Sequence, residues 1–297
     1  MAKLEHDLLI HPRTELQLSN YLDRAAQTML LIGPAGSGKY TLAKTLAANL
    51  LGLQSINHLA AYPYYLELTT AEAKQEIPID DVRSVIAKLR LKAPGKDGIR
   101  RLVLVDGADS LSQEAQNAFL KTLEEPAPDT VFILTAPSVR SIAPTIASRA
   151  QQLTVQPVTE AGAQNFYAGQ FAKPEITSNW LLSGGAAGLL DSMLKNKADH
   201  PLKDAVASFK TFLGMDTYRR VLYCDQLSKD KLNLGYFLAG GKRVLAALHQ
   251  HSIKTGHDRQ AAKLGKSRKL LNDLQRKLDS NGNTKLVALS LALNLKL

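Results

Sequence analysis

Cysteine is almost absent from this chain of 297 residues, because Cys224 is the only one. A single thiol cannot form a disulfide bond within the chain, and it cannot supply a cysteine-rich zinc site. We therefore expect no disulfide framework and no structural zinc. No motif surrounds Cys224 in the sequence, so we interpret it as a small residue of the hydrophobic core.

Long apolar runs are also lacking. The most apolar stretch, LVALSLALNL at 286–295, has about half of the roughly 20 residues that a membrane-spanning helix needs. The first residues, MAKLEHDLLIHPR, lack the long apolar core of a secretory signal. The sequence therefore predicts a cytoplasmic protein that has no membrane partner.

Acidic residues are fewer than basic ones, with 27 Asp and Glu against 37 Lys and Arg, which gives a formal net charge of +10. This balance favours a polyanionic partner such as nucleic acid, although a merely soluble basic protein would have it too. The segment RQAAKLGKSRKLLNDLQRKL at 259–278 predicts a helix with a strongly basic face. Such a face is usually solvated, and contact with DNA or an acidic partner is the alternative.

Two kinds of pattern divide the chain. Residues 1–156 alternate amphipathic helical segments with the short apolar runs TMLLI, YYLEL, RLVLV, TVFIL and QLTV, which predicts a three-layer α/β/α domain with a parallel sheet. After Pro157 the β-branched runs disappear, and helical periodicity with glycine and proline breaks replaces them. We expect a small helical domain at 157–197 and a second, all-helical domain at 200–297.

A phosphate-binding loop is indicated where residues 33–39 read GPAGSGK and fit the pattern G-x-x-x-x-G-K. An apolar strand runs into this segment and a helical pattern leaves it, as a strand-loop-helix phosphate site requires. Backbone N–H groups would converge on phosphate oxygens at the helix N-terminus, and Lys39 would reach the terminal phosphates. A purely structural glycine-rich turn is the alternative. The residues expected to bind nucleotide here are Gly33, Pro34, Ala35, Gly36, Ser37, Gly38, Lys39, Tyr40 and Thr41.

The magnesium half of this site is incomplete in the sequence. Tyr40 stands where a Ser or Thr hydroxyl normally binds Mg²⁺ at about 2.0–2.1 Å, and the hydroxyl of a tyrosine lies several ångströms too far out. Thr41 is about 100° further round the helix. Asp106 follows the apolar run RLVLV, as the magnesium-binding aspartate of ATPases does, but the next residue is Gly107 and not a water-activating glutamate. We expect ATP as the ligand, weak Mg²⁺ binding at most through Asp106, and impaired hydrolysis.

Two sequence blocks, AQNAFLKTLEEP and PTIASR, closely resemble the AAA+ core of clamp-loader subunits, in particular the delta-prime type of bacterial DNA polymerase III. The resemblance covers about 1–195, and beyond 200 it rests on size and helical character. It implies an AAA+ core, a helical lid and a C-terminal helical collar in the three ranges given above. The zinc module of the family is absent, since 52–78 contains no cysteine.

The resemblance also implies a role for Arg149. It matches the arginine of the S-R-C motif, which in this family reaches into the ATP site of the neighbouring subunit as an arginine finger. A structural salt bridge at the entry to a strand is the alternative. Glu124 and Glu125 of LKTLEEP are neighbours along a helix, so their side chains do not face each other, and a catalytic pair is not expected. We expect them to have a subunit-contact or structural role.

Further positions follow from the same resemblance. Residues 106–109 read DGAD and match the DEAD-like box, with Gly107 in place of the glutamate. The polar sensor of the fourth strand falls near Thr135 or Ser138, and the sequence does not separate them. Gly188 lies where active subunits have a sensor arginine in the lid.

The resemblance implies a clamp-loader subunit in DNA replication with a degenerate ATP site, which helps to load a sliding clamp onto primed DNA. Its partners would be gamma/tau-like ATPase subunits, a delta-like subunit, the sliding clamp and, through the assembled complex, DNA. It would belong to the polymerase III holoenzyme, in a cytoplasmic, nucleoid-associated replisome, with weak or no ATPase activity of its own. A hydrolytically active gamma/tau-like subunit is the alternative. A small-molecule P-loop kinase would not explain the two sequence blocks.

Overall fold

The structure is a computed structural model that describes residues 8–70, 76–91, 93–94, 98–195, 201–279 and 282–296. The chain forms two compact units, Met1–Gly162 and Ala163–Leu297. The boundary that we expect between a lid and a collar, at 198–199, lies outside the described residues.

The first unit contains a five-stranded parallel sheet. Its strands are β1 Thr28–Ile32, β2 Tyr65–Leu68, β3 Arg101–Val105, β4 Thr130–Ala136 and β5 Gln151–Thr154. They lie in the order β2-β3-β4-β1-β5. Every residue of β1 and β4 is buried, as expected for central strands that are covered on both faces. The sequence placed all five strands, although β4 continues two residues further than predicted and β5 begins one residue earlier.

Helices cover both faces of this sheet. Leu18 and Leu46 come from the helices that pack on one face, whereas Val82 and Phe119 come from those on the other, and all four side chains are buried. The predicted three-layer α/β/α arrangement is therefore confirmed. The helices are α1 Pro12–Asp23, α2 Lys39–Leu50, α3 Ile79–Leu89, α4 Gln113–Glu124 and α5 Pro144–Ala147, and short 3-10 turns lie at Ile56–Ala61, Ala108–Ser110 and Val139–Ser141.

A buried ion cluster ties the beginning of β3 to the residue before β4. The Asp129 carboxylate accepts hydrogen bonds from Arg101 Nε at 3.2 Å and Nη2 at 3.0 Å, and Arg100 Nη2 lies 2.8 Å from it. Burial on its own would raise the pKa of Asp129, but the hydrogen bonds and charge of Arg101, with the charge of Arg100, outweigh it and lower that pKa. The cluster lies at the amino end of the strands and has a structural role.

The second unit is built from helices, and α6 Glu160–Phe166 crosses the division between the units. Two glycines let α9 and α11 approach closely. A Cβ at Gly240 would lie 2.7 Å from the carbonyl carbon of Ala205, and a Cβ at Gly241 would have three ring carbons of Phe209 within 2.7 Å. The helices are α7 Lys173–Ser183, α8 Ala187–Leu194, α9 Pro201–Leu213, α10 Thr217–Leu227, α11 Lys231–Lys254, α12 Asp258–Asp279 and α13 Thr284–Asn294.

The core of the second unit contains a cluster of aromatic rings. The Phe209 ring centroid lies 5.2 Å from that of Phe237 and 5.8 Å from that of Phe212. Cys224 is buried in the same core, as predicted, and burial raises the pKa of its thiol to about 12. Within the part of the chain that the structure describes, no helix combines the length and apolar character that a membrane span requires.

Candidate phosphate-binding site

Glycines determine the backbone of the loop between β1 and α2. Gly36 and Gly38 have φ values of 81° and 84°, a left-handed conformation that glycine adopts without steric cost. A Cβ at Gly33 would lie 2.8 Å from the hydroxyl of Ser37. The Gly33 amide donates to the carbonyl of Ala136 at 3.0 Å, which holds the loop against the end of β4. Each of the three glycines of the loop therefore has a geometric reason.

The loop has the electrostatic features of an anion site. Because α2 begins directly after Gly38 without a side-chain cap, the N–H groups of its first turn have no partner within the helix. The Ser37 hydroxyl is buried and makes no hydrogen bond in the described residues. Burial lowers the pKa of Lys39, and the nearby Asp106 and Asp109 carboxylates act in the opposite direction. A bound phosphate would compensate both the buried ammonium and the open helix terminus.

The hydroxyl of Tyr40 is engaged away from this loop. It donates to Glu67 Oε1 at 2.6 Å and accepts from Lys44 Nζ at 3.1 Å. Tyr65 donates to the other Glu67 oxygen at 2.7 Å, so the carboxylate accepts from two phenols. Burial and the hydrogen bond to Glu67 raise the pKa of Tyr40, which keeps its hydroxyl protonated as a donor. Position 40 therefore ties α2 to β2 and offers no oxygen to a magnesium ion at the loop.

Sequence reasoning missed this cluster, which we call the Tyr40–Glu67 lock and define as Tyr40, Lys44, Tyr65 and Glu67. The acidic residue lies 27 positions from the tyrosine, in a strand at the edge of the sheet. An isolated Glu within the run YYLEL was the one visible indication, because a carboxylate in an apolar strand needs partners.

Thr135 supports the aspartate that follows β3. The threonine hydroxyl donates to Asp106 Oδ1 at 2.5 Å and accepts from the Gly107 amide at 2.9 Å. Thr135 is fully buried, whereas Ser138 is exposed at the start of a 3-10 turn. Of the two sensor candidates, the structure places Thr135 against the acidic residue.

The segment that follows Asp106 turns sharply. Gly107 has a φ of 73°, a conformation that side-chain-bearing residues rarely adopt. Asp109 lies in the next 3-10 turn, and burial raises its pKa although its own backbone amide and Lys39 lower it. Among the residues that the structure describes, no three His, Cys, Asp or Glu side chains form a group that could hold a metal ion. Because the hydroxyl at position 40 is bonded to Glu67, the phosphate half of a nucleotide site fits these residues better than the magnesium half.

Arg149 lies in the first unit, two residues before β5. Its guanidinium pairs with Glu124 Oε1 at 2.6 Å and donates to the Thr145 carbonyl at 2.7 Å. About a third of the Arg149 side chain and nearly half of the Glu124 side chain are exposed to solvent. The salt bridge considered as an alternative is therefore present, and its partner is a glutamate of LKTLEEP that the sequence did not assign to it. An exposed pair of this kind is worth at most about 1 kcal/mol, so a stronger anion can displace the glutamate.

The lid position singled out by the sequence lies in the second unit. Gly184 and Gly185 end α7 with φ values of 63° and 75°, and Gly188 is the second residue of α8. Position 188 therefore presents no side chain from the first turn of that helix.

Comparison with known proteins identifies the family of the chain. A family model described as DNA polymerase III, delta subunit, matches residues 11–159, half of the chain, including the phosphate loop and Arg149. The chain is 37% identical over 140 residues to the DNA polymerase III subunit delta' of Pseudomonas aeruginosa, covering 43% of this chain and 42% of that protein. It is 41% identical over 91 residues to the corresponding subunit of Haemophilus influenzae, covering 31% of this chain and 27% of that protein.

Two further matches are more distant. The replication factor C small subunit of Haloarcula marismortui is 31% identical over 156 residues, which cover 52% of this chain and 45% of that protein. The solved structure of a DNA polymerase III gamma subunit-related protein from Thermotoga maritima superposes with a TM-score of 0.55 at 19% identity, covering 93% of this chain and 96% of that chain. The structural match establishes the fold. The sequence matches span less than half the length of the relatives.

Proposed function

The chain belongs to the family described as DNA polymerase III, delta subunit, and we propose that it serves as a clamp-loader subunit of the delta-prime type. In this role it helps to load a ring-shaped sliding clamp onto primed DNA within the polymerase III holoenzyme. It contributes little or no ATP hydrolysis from its own loop. The single observation that carries the loss of hydrolysis is the bond of the Tyr40 hydroxyl to Glu67, and the exposed Arg149 supports a role at a neighbouring subunit.

The proposed ligand of the loop is the phosphate chain of ATP. The backbone of 33–41 and the Lys39 ammonium would hold the phosphates, since the N-terminus of α2 has no side-chain cap and partial burial lowers the pKa of Lys39 beside it. Thr135 would act through Asp106, which it contacts. Mg²⁺ would bind weakly at most, through Asp106, because position 40 supplies no ligand to it.

Arg149 is the proposed catalytic contribution, made to a neighbouring subunit. A guanidinium is planar, permanently charged and able to bind a phosphate through two parallel hydrogen bonds. Its exposure and its weak pairing with Glu124 support a contact with the ATP of an adjacent gamma/tau-like ATPase subunit. A delta-like subunit, the clamp and DNA complete the proposed partners, in a cytoplasmic, nucleoid-associated replisome.

Exposed apolar residues support a collar in 200–297. Leu286 and Leu293 on α13 are 66% and 52% exposed, and Leu289 lies between them on the same face. On α10, which packs against α13, Tyr218 is 73% exposed and Leu222 is 51% exposed. Large apolar side chains clustered on the surface are typical of protein interfaces. We assign this surface to contacts between subunits and 157–197 to the lid.

Reconstitution with the ATPase and delta-like subunits of the same organism tests the proposal. The isolated chain should show negligible ATP turnover, and Arg149→Ala should lower turnover of the assembled, DNA-stimulated complex at least tenfold, since arginine fingers contribute about 10³–10⁵ in rate. Arg140→Ala, an exposed arginine of the same unit, is the matched control. Robust turnover by the isolated chain would instead favour a gamma/tau-like ATPase, and an unaffected complex would remove Arg149 from the mechanism.

A further inference from the structure

Positive charge is distributed very unevenly between the two units. The second unit holds 21 of the 37 Lys and Arg residues but only 10 of the 27 Asp and Glu residues, a formal net charge of +11. The first unit holds 16 basic and 17 acidic residues, a net charge of −1. The basic character of the whole chain therefore belongs to its helical half and not to the half with the phosphate loop.

Within the second unit, α12 has a predominantly basic exposed surface, in which six cations stand beside Asp258 and three exposed uncharged residues. We call this surface the α12 stripe, and its exposed basic members are Arg259, Lys263, Lys266, Lys269, Arg276 and Lys277. The opposite face of the helix carries Leu264, Leu271, Leu274 and Leu278, which are at most 2% exposed and lie in the core of the unit. The buried leucines fix the rotation of the helix, so the charged face must point to solvent.

We propose that the α12 stripe is a sequence-independent binding surface for the phosphate backbone of nucleic acid. From residue 259 to residue 277 the helix rises about 27 Å, and one strand of duplex DNA presents a phosphate about every 3.4 Å along its axis. The stripe can therefore meet several phosphates at once. Residues 259–269 contain five basic and no acidic residues, whereas Asp273 pairs with Arg276 at 2.8 Å further along the helix, so the region from 259 to 269 has the highest density of positive charge.

The surroundings of the charges favour nucleic acid over the two other polyanions that a basic helix can meet. An amphipathic helix that binds membranes inserts an apolar face, but the leucines of α12 are already buried in the protein core. The core of a protein interface is depleted in lysine and rich in aromatic and apolar residues. Among the large hydrophobic residues that are exposed, none belongs to the described part of α12.

The inference extends the proposed function, because it assigns DNA contact to a specific surface of the chain. Its test needs only the isolated, full-length protein. A fluorescein-labelled 30-base-pair duplex is titrated at several salt concentrations and followed by fluorescence anisotropy. The combined variant Lys263→Gln, Lys266→Gln, Lys269→Gln should bind at least tenfold more weakly at about 100 mM salt. The slope of log K against log salt should fall by about 2–3, one unit for each contact that is lost.

The matched control removes the same charge elsewhere in the same unit, by Lys210→Gln, Lys229→Gln and Lys285→Gln, three exposed lysines outside α12. Its affinity and salt slope should remain near those of the wild type, and both variants should keep the wild-type melting temperature.

The inference is overturned if the wild type does not bind the duplex at low salt, or if the control variant loses as much affinity as the stripe variant. It is also overturned if poly-glutamate, or vesicles with 30% phosphatidylserine, bind the stripe as tightly as DNA. In each of these cases the assembled complex can still show ATPase activity that depends on Arg149. Failure of the DNA-binding inference is therefore distinguishable from failure of the proposed function.

Discussion

The close approach of α9 and α11 allows a prediction in which two similar substitutions have opposite effects. Gly241 and Gly235 both lie inside α11, where replacement of Gly by Ala favours the helical backbone by about 1 kcal/mol. At Gly235 the nearest atom to an added Cβ is a methyl carbon of Leu278 at 3.8 Å, an ordinary van der Waals contact. We therefore expect Gly235→Ala to stabilise the second unit by about 0.5–1 kcal/mol.

At Gly241 the Cβ of an introduced alanine would overlap the ring of Phe209. That ring is fully buried and packs against Phe212 and Phe237, so it cannot move aside without displacing them. Overpacking of this kind costs about 1–3 kcal/mol, and the severity of the overlap places it in the upper part of that range. After subtraction of the helical gain, Gly241→Ala should destabilise the unit by about 1–2 kcal/mol.

The assay is urea unfolding followed by the fluorescence of Trp180, the single tryptophan, which lies in α7 of the second unit. It reports on that unit even if the first unfolds separately. The midpoint should rise for Gly235→Ala and fall for Gly241→Ala, and the two variants should differ by about 1.5–3 kcal/mol. Equal stability of the two variants would show that α9 and α11 do not approach each other at Gly241 as the structure has it.

Two further outcomes concern the first unit. Tyr40→Phe removes the hydroxyl of the Tyr40–Glu67 lock and should cost about 1 kcal/mol in thermal unfolding, since this hydrogen bond to a carboxylate is partly exposed. Tyr64→Phe is the control, because its hydroxyl makes no hydrogen bond in the described residues. Asp129→Asn should cost about 3 kcal/mol at pH 7, because it removes the carboxylate charge with which both Arg100 and Arg101 pair. Because the folded-state pKa of Asp129 is lowered, the stabilisation it gives is complete above its unfolded value of about 3.9 and is lost as pH falls further, so the two proteins should converge in acid. A difference that grows as the pH falls would contradict the assigned direction.

The sequence predicted the elements of the first unit well, because its strands are short apolar runs separated by turn residues and amphipathic helices. The phosphate loop was also predictable, since all of its determinants lie within seven consecutive residues, 33–39. The pairing of Tyr40 with Glu67 was not, because it depends on where β2 lies in the sheet, and hydrophobic periodicity does not encode strand order. The pairing of Arg149 with Glu124 likewise joins residues that only the tertiary fold brings together.

The backbone conformation at Gly107 disfavours the glutamate that an active site would have at this position. From the sequence alone, Gly107 is a missing glutamate that one substitution would restore. The structure shows a left-handed turn at that position, where any side chain costs about 1–2 kcal/mol. The Gly107 amide in that turn also donates to Thr135, which in turn donates to Asp106. A glutamate at 107 would thus strain the turn that orients Asp106, and a small hydroxyl at 40 would leave Glu67 without one of its two phenol donors. Gly107 and Tyr40 are each held by local hydrogen bonds, which stabilise the proposed non-hydrolysing site. Recovery of a metal site therefore requires substitutions at 40 and 107 together with changes in the residues that contact them.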